Sequence, residues 1–312
     1  MIKMNEFQEF LASSSERLDT LIAKTINISR SQASKAIKSK RVLVDDKVVE
    51  QASYQVKAGS KVLINPVVEE PSFEKPKEKL DLSFIYKDED IAILNKPRGL
   101  VVHPAPGHND DTLVNYLFSE VKDFSFDPDN SADIRPGIVH RIDKDTSGLL
   151  AVAMNPNSQA ALQEEIRNKD FHRSYLALVY GNVEHPKFRI EAPLTRPNHT
   201  ERKARVDVYK GREAITHCEV LANNGEVSLL RCTLETGRTH QIRAHLAYIG
   251  HPIIGDMLYG RPDNRLDLKG QCLHAYRLSL IHPRTLKRMT FYAPIDDYFK
   301  KILKYFFRRK AK

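Results

Sequence analysis

The chain is 312 residues long, room for two domains, and its 41% hydrophobic and 29% charged residues exclude a disordered or fibrous protein. A formal charge of +9 favours a polyanionic partner over a neutral metabolite. The N-terminus MIKMNEFQEFLASSS lacks the apolar core of a signal peptide, and no apolar run reaches the roughly 20 residues of a membrane span. The three cysteines, Cys218, Cys232 and Cys272, form no CxxC pair, so a reduced, soluble, cytoplasmic protein with no membrane partner is expected.

In chain order, Arg17, Leu18, Leu21 and Ile22 have the spacing of a first amphipathic helix. Ser29 and Gln32 have the form of a capping box that opens a second helix. On it Ala33, Ala36 and Ile37 give the apolar stripe, while Arg30, Lys35 and Lys38 populate other faces. The β-rich runs 42–44 and 47–49 join at Asp45-Asp46, and Val56 with 62–64 closes a unit that ends near residue 65. This stretch resembles the S4 RNA-binding module, a small α/β fold in which two helices and a hairpin present basic side chains to folded RNA. Two positions depart from that pattern: Lys40 stands where a glycine is typical, and Asp45-Asp46 replaces the Asn-Gly that best suits a type I′ turn. The resemblance implies that Arg30, Lys35, Lys38 and Arg41 meet RNA phosphates.

Residues 66–80, PVVEEPSFEKPKEKL, have the composition of a linker. Residues 81–312 then form one larger, strand-dominated domain. The runs 83–86 and 91–94 flank Lys87-Asp88-Glu89-Asp90 as a hairpin would. Asn155-Pro156 suits a helix start, followed by an amphipathic run through Ala160, Ala161, Leu162 and Ile166. Residues 174–180 read as a buried strand, and the aromatic and basic tail 305–310 as the end of a surface helix.

Three segments carry the chemistry. In the first, RPGIVHRIDKDTSGLL over 135–150, two carboxylates sit among cations, and neighbouring positive charge favours the ionised form that a nucleophile or base needs. Pattern alone leaves Asp143 and Asp145 as equal candidates. In the second, RSYLALVYG over 173–181, Tyr175 shares a strand face with Ala177 and Val179 and can put its ring in a pocket. In the third, TGRTHQIRAHL over 236–246, Thr239 is the expected cap of a helix striped by Ile242, Leu246 and Ile249, with His240 and Arg243 on another face. His240 and His245 have poor spacing for zinc and no cysteine pair supports them, so no metal site is expected.

Taken in order, HRIDKDTSGLL, RSYLALVYG and TGRTHQIRAHL with IGHPIIGD and YG, preceded by NKPRGLVVHPAPGH and TLVN, resemble the core motifs of the RluA/RluD-type RNA pseudouridine synthases over residues 80–295. Asp111 stands where such loops more often carry glycine. The resemblance implies an α+β catalytic domain around a mixed, largely antiparallel sheet, isomerising uridine to pseudouridine without a cofactor. It assigns Asp143 as the catalytic carboxylate, Arg141 as the group that displaces the target base, Tyr175 as the wall of the uracil pocket and Arg243 as the partner of Asp143. Arg238, His240 and Gln241 follow as RNA or pocket contacts. Large-subunit ribosomal RNA is the expected substrate, with tRNA as the alternative, and the chain is expected to act as a monomer. A non-catalytic RNA chaperone would be expected to lack Asp143 or Tyr175. A glycosidase built on Asp143 and Asp145 would need two acids further apart than one short turn allows, and the chain has no tryptophan to stack a sugar.

Overall fold

The computed structural model describes residues 8–26, 28, 30–65, 76, 78–104, 107–126, 135–195 and 203–308. These fall into two compact units, one up to residue 65 and one from residue 76 onward. Most of the expected linker, 66–75 and 77, lies outside the described residues, as does Ser29 of the expected capping box. Among the described residues no helix is long and apolar enough to cross a membrane.

The first unit runs β1 (Gln8–Leu11), β2 (Glu16–Arg17), α1 (Leu18–Thr25), α2 (Arg30–Lys38), β3 (Val42–Val44), β4 (Lys47–Val48), β5 (Gln55–Val56) and β6 (Lys61–Ile64). Leu18, Leu21 and Ile22 of α1 and Ala33 and Ile37 of α2 are buried with Val42, Val44, Val62 and Ile64. Arg17 is the N-cap of α1 and not part of its stripe. The two departures from the S4 pattern are accommodated by the backbone. Lys40 takes φ 61°, the left-handed conformation expected of a glycine after a helix, and the Arg41 N–H reaches back to the Ala36 carbonyl in a Schellman closure. Asp45 and Asp46 both have positive φ, 49° and 61°, so they make the two-residue turn that Asn-Gly would make between β3 and β4. Aspartate tolerates this region better than most residues, which is why the hairpin survives the substitution.

The second unit contains β7 (Phe84–Lys87), β8 (Ile91–Lys96), α3 (Leu113–Glu120), β9 (Ser147–Ala153), α4 (Pro156–Arg167) and β10 (His172–Tyr180). It continues with β11 (Lys187–Glu191), β12 (Leu194–Thr195), β13 (Arg205–Val206), β14 (Ile215–Asn223), β15 (Val227–Leu234) and α5 (Gln241–Tyr248). It ends with β16 (Leu273–Ile281), β17 (Arg288–Tyr292) and α6 (Asp297–Arg308). One nine-stranded sheet runs β11-β14-β15-β10-β16-β9-β8-β7, with β17 also paired to β16. The mixed, largely antiparallel sheet of the expected α+β fold is therefore present. Its one parallel strand pair among the described residues, β9 with β16, lies at Ser147 and Gly148, directly after the turn that carries Asp143.

Asn155 caps α4 by accepting from the Ser158 N–H at 2.9 Å, with Pro156 in the first turn. Leu162 is buried, but Ala160 and Ala161 face solvent; the buried face is completed by Ser158, Gln159 and Glu165. Those polar groups have work inside the fold: Gln159 Oε1 accepts the Gly137 N–H at 2.6 Å and so ties down the segment leading to Asp143. The C-terminal aromatic run is not a surface helix end. Phe299, Ile302 and Phe306 of α6 are buried in the main core, each contributing about 1.5–3 kcal/mol of apolar burial.

Gly148 has φ 105° and lies against the Ala275 backbone, so an added Cβ would sit 2.8 Å from that residue's N and C atoms. Gly148→Ala is therefore expected to destabilise the protein by about 3 kcal/mol or more. Urea denaturation checks this, and a midpoint equal to wild type would mean that the β9–β16 contact is not close-packed.

Candidate active site

Asp143 sits on the turn between the segment 135–142 and β9, closed by the Thr146 N–H on the Asp143 carbonyl at 3.1 Å. The turn is fastened by a buried cation. Lys96, at the end of β8, is 1% exposed, and its ammonium donates to the carbonyls of Pro97 (2.8 Å), Leu100 (2.8 Å) and Lys144 (3.0 Å). Burial pulls its pKa down to about 7. Arg98 adds a second clasp, donating to the carbonyls of Asp145 and Gln271 and lying 4.3 Å over the Tyr298 ring.

Arg243 reaches this turn from the first turns of α5. The N-cap of that helix is His240, in the left-handed region at φ 56°, and not Thr239 as the sequence suggests. Gln241 makes the kink possible: its Oε1 accepts from the Thr236 hydroxyl and the Arg238 N–H, and its Nε2 donates to the Ile215 carbonyl and the Thr216 hydroxyl. With its amide engaged on both sides, Gln241 braces the loop that forms the cavity wall.

Arg243 is buried and holds two carboxylates. Its Nη1 donates to Asp143 Oδ2 at 2.9 Å, while Nε and Nη2 donate to Asp256 at 2.7 and 2.8 Å in a bidentate pair. Asp256 is fully buried and also accepts the N–H groups of Leu258 and Tyr259, each at 3.0 Å. Burial alone would lower the Arg243 pKa, but its hydrogen bonds and charge contacts with Asp256 and Asp143 raise it overall. The same balance holds Asp256 below the usual carboxylate value: burial pushes it up, and Arg243 pulls it further down. His240 stands 3.7 Å from the other Asp143 oxygen and 3.2 Å from the Tyr259 hydroxyl.

Tyr175 enters from β10, so residues far apart in sequence face one cavity of about 680 Å³, where Asp143, Tyr175 and Arg243 meet Arg141, Arg238 and His240. Tyr175 is 5% exposed, and burial, opposed by the Arg173 charge and aided by that of Asp143, raises its hydroxyl pKa so that it stays protonated. Asp145 does not line the cavity; its Cβ and carboxyl group pack against Gly270. Geometry thus separates the two aspartates that the sequence leaves equal. Arg30 and Lys38, in the first unit, are exposed and Arg41 is half-buried; Arg30 pairs with the buried Asp19 at 3.0 Å. The Lys35 side chain lies outside the described residues. Asp256, Tyr259 and Lys96 carry no separate signal beyond lying in the IGHPIIGD, YG and NKPRG stretches, and sequence reasoning gave them no role.

Asp88, Asp90 and His282 gather elsewhere with their donor atoms within 4.8 Å of one another. His282 Nδ1 accepts the N–H groups of Arg284 and Thr285, which leaves its Nε2 to donate to Asp88 at 2.7 Å. Asp88 also takes the Tyr86 hydroxyl, and Asp90 takes Ser158 and Arg284. With the lone pairs committed in this way, the group is a brace for the β7–β8 turn and a poor metal donor set.

Comparison with known proteins gives a consistent result. The family model of RNA pseudouridylate synthases matches residues 90–248, and that of the S4 domain matches residues 16–62. The chain is 43% identical over 284 residues to an uncharacterized RNA pseudouridine synthase of Bacillus subtilis, covering 91% of each protein. It is 37% identical to the ribosomal large subunit pseudouridine synthase D of Escherichia coli, covering 90% of this chain and 88% of that one. Among solved structures, human RNA pseudouridylate synthase domain containing 1 superposes with a TM-score of 0.54 at 26% identity, over 71% of this chain and 86% of that chain.

Removing the Asp256 charge has a signed consequence for stability. A carboxyl held below its ordinary value contributes stability that is present above the unfolded value of about 3.9 and is lost as pH falls through the folded value. Asp256→Asn is therefore expected to cost about 3 kcal/mol at pH 7, with the difference from wild type shrinking below about pH 4. Urea titrations at several pH values check this; a difference independent of pH would show that the carboxylate charge is not what holds Arg243.

Proposed function

The chain belongs to the RNA pseudouridine synthase family, and from that premise we propose that it isomerises uridines of large-subunit ribosomal RNA at Asp143, with tRNA as the alternative substrate. The observation that carries the assignment of roles is the Arg243–Asp143 hydrogen bond in a cavity that also holds Tyr175.

The reaction must break the bond from ribose C1′ to uracil N1, turn the base, join C1′ to C5, and move the C5 hydrogen off the base while N1 gains a proton. Nothing is oxidised, so the chemistry asks for charge placement and a dry pocket. A carboxylate oriented by the Arg243 hydrogen bond can attack C1′ or remove a sugar proton, and either route frees the base. Tyr175, its phenol protonated, lines the uracil site and serves proton movement at C5 as a relay that donates as it accepts. Arg141 is exposed at the cavity and long enough to fill the place of a uridine turned out of its stack, a displacement that costs a few kcal/mol. The S4 unit adds phosphate contacts through Arg30, Lys35, Lys38 and Arg41. Nothing in this scheme requires a second copy of the chain, in keeping with a cytoplasmic monomer.

The glycosidase alternative loses its carboxylate pair, since Asp145 lies outside the cavity. Tritium release from ribosomal RNA labelled at uridine C5 tests the proposal. Wild type should release tritium, and Asp143→Asn should release it about a thousandfold more slowly or not at all, with RNA affinity retained. Equal release by the variant would remove Asp143 from its role, and free uracil without tritium release would mean hydrolysis.

A further inference from the structure

Among the described residues, one buried cation of the cavity wall has no carboxylate partner. Arg173, at the start of β10, lines the cavity beside Tyr175 and is 8% exposed. Among the described residues its Nε has no hydrogen-bond partner, and no carboxylate lies within ion-pair distance of its guanidinium. Its neighbours in the same wall are matched: Arg167 pairs with Glu164, Lys169 with Glu235 and Arg243 with Asp143. A guanidinium withdrawn from water without an anion is costly, and buried charges in folded proteins are as a rule paired.

A second unmatched donor lies close by. His140 is buried against the Phe171 ring at 5.1 Å, and Arg173 stands over the same ring at 5.7 Å. His140 Nε2 accepts the Ala151 N–H at 2.9 Å, so the ring proton sits on Nδ1, which is buried with no partner among the described residues. Burial, reinforced by the Arg173 charge, takes its pKa down to about 3, so the ring remains a neutral N–H donor. Gly237 completes the wall: a Cβ there would come within 2.7 Å of Arg173 Nη1, so the absent side chain is what leaves the guanidinium its position.

We infer that the guanidinium of Arg173, in the wall that it shares with His140, forms an anion subsite that takes one phosphodiester of the RNA beside the uridine entering at Asp143. The ligand follows from the chemistry. The unmatched charge is permanent, so it asks for a permanent anion, and in RNA that is the phosphodiester; bound uracil is neutral until its glycosidic bond breaks. The identification of the anion as RNA phosphate rests on the proposed function, whereas the existence of an anion subsite does not.

The test uses the full chain in an Asp143→Asn background, so that a uridine-containing ribosomal RNA hairpin binds without turnover. Affinity is measured against potassium chloride concentration for Arg173, Arg173→Lys and Arg173→Met. Arg173→Met should weaken binding several-fold and flatten the slope of log affinity against log salt by about 0.7–0.9, one phosphate's share, and Arg173→Lys should keep the slope. Gly237→Ala, which retains every charge and displaces only the flexible end of Arg173, should lose part of the same affinity. A folded Arg173→Met with wild-type slope overturns the subsite. So does an unchanged slope with slowed tritium release when Arg173→Met is placed on the active Asp143 enzyme, because the guanidinium would then serve the detached base. Should Arg173→Met fail to fold, inorganic phosphate decides: it should raise the melting temperature of the protein above that in chloride at equal ionic strength, less so in Gly237→Ala, and an equal effect on both proteins overturns the proposal. Wild-type tritium release is read separately, so loss of the enzymatic reading and loss of the subsite are distinct results.

Discussion

A guanidinium removed from water must find acceptors for its N–H groups and an anion for its charge, and in this protein Arg243 finds them in two carboxylates at once. Asp256 takes Nε and Nη2 as a planar fork, and Asp143 takes Nη1. The asymmetry assigns the parts. Asp256 is sealed in and bonded also to two backbone N–H groups, so it fixes the arginine. Asp143 keeps one oxygen toward the cavity, near His240 only at 3.7 Å. A buried ion pair of this kind brings little net stability over apolar packing, so its value lies in fixing geometry, which the role proposed for Asp143 needs most.

The rest of the second unit brings these groups together. Asp143 and Arg243 are 100 residues apart in the chain and Tyr175 lies between them, so no local propensity could assemble them. The sheet does so through β9, β10 and β16, whose edges meet where Gly148 lets the Ala275 backbone approach. Lys96 then ties the β8 end to the Asp143 turn through the Lys144 carbonyl, and Gln241 sets the kink from which Arg243 departs. Asp256 and Lys96 are thus cavity supports that never touch the cavity themselves. Arg173 stands apart from them, a charge with no carboxylate partner among the described residues.

Much of this was legible in the sequence. The Asn155-Pro156 start, the 84–96 hairpin and the buried strand at Tyr175 follow from local patterns, and the ordered motifs identified both the α+β fold and the family. Signals failed where a long-range contact outranked a local preference. Thr239 is the better capping residue by type, yet His240 takes the left-handed cap because Gln241 is pinned to Ile215 and Thr216. Ala160 and Ala161 read as an apolar face, but it is Gln159 and Glu165 that the sheet and the 135–137 segment require. The tail at 305–308 looks like a basic surface helix because its buried side depends on strands far upstream. Asp143 and Asp145 could not be distinguished by pattern, since what separates them is the position of Arg243.

The central claim is that Asp256 acts on the reaction only through the arginine it orients. Its most direct test is the single-turnover rate of pseudouridine formation at saturating RNA for Asp256→Asn, with Asp256→Glu alongside and RNA affinity measured for both. The expected result is a slowing of about ten- to a hundredfold in the asparagine variant, partial recovery with glutamate, and affinity little changed. A folded Asp256→Asn protein that turns over at the wild-type rate would contradict it, and would mean that Asp143 needs no oriented arginine.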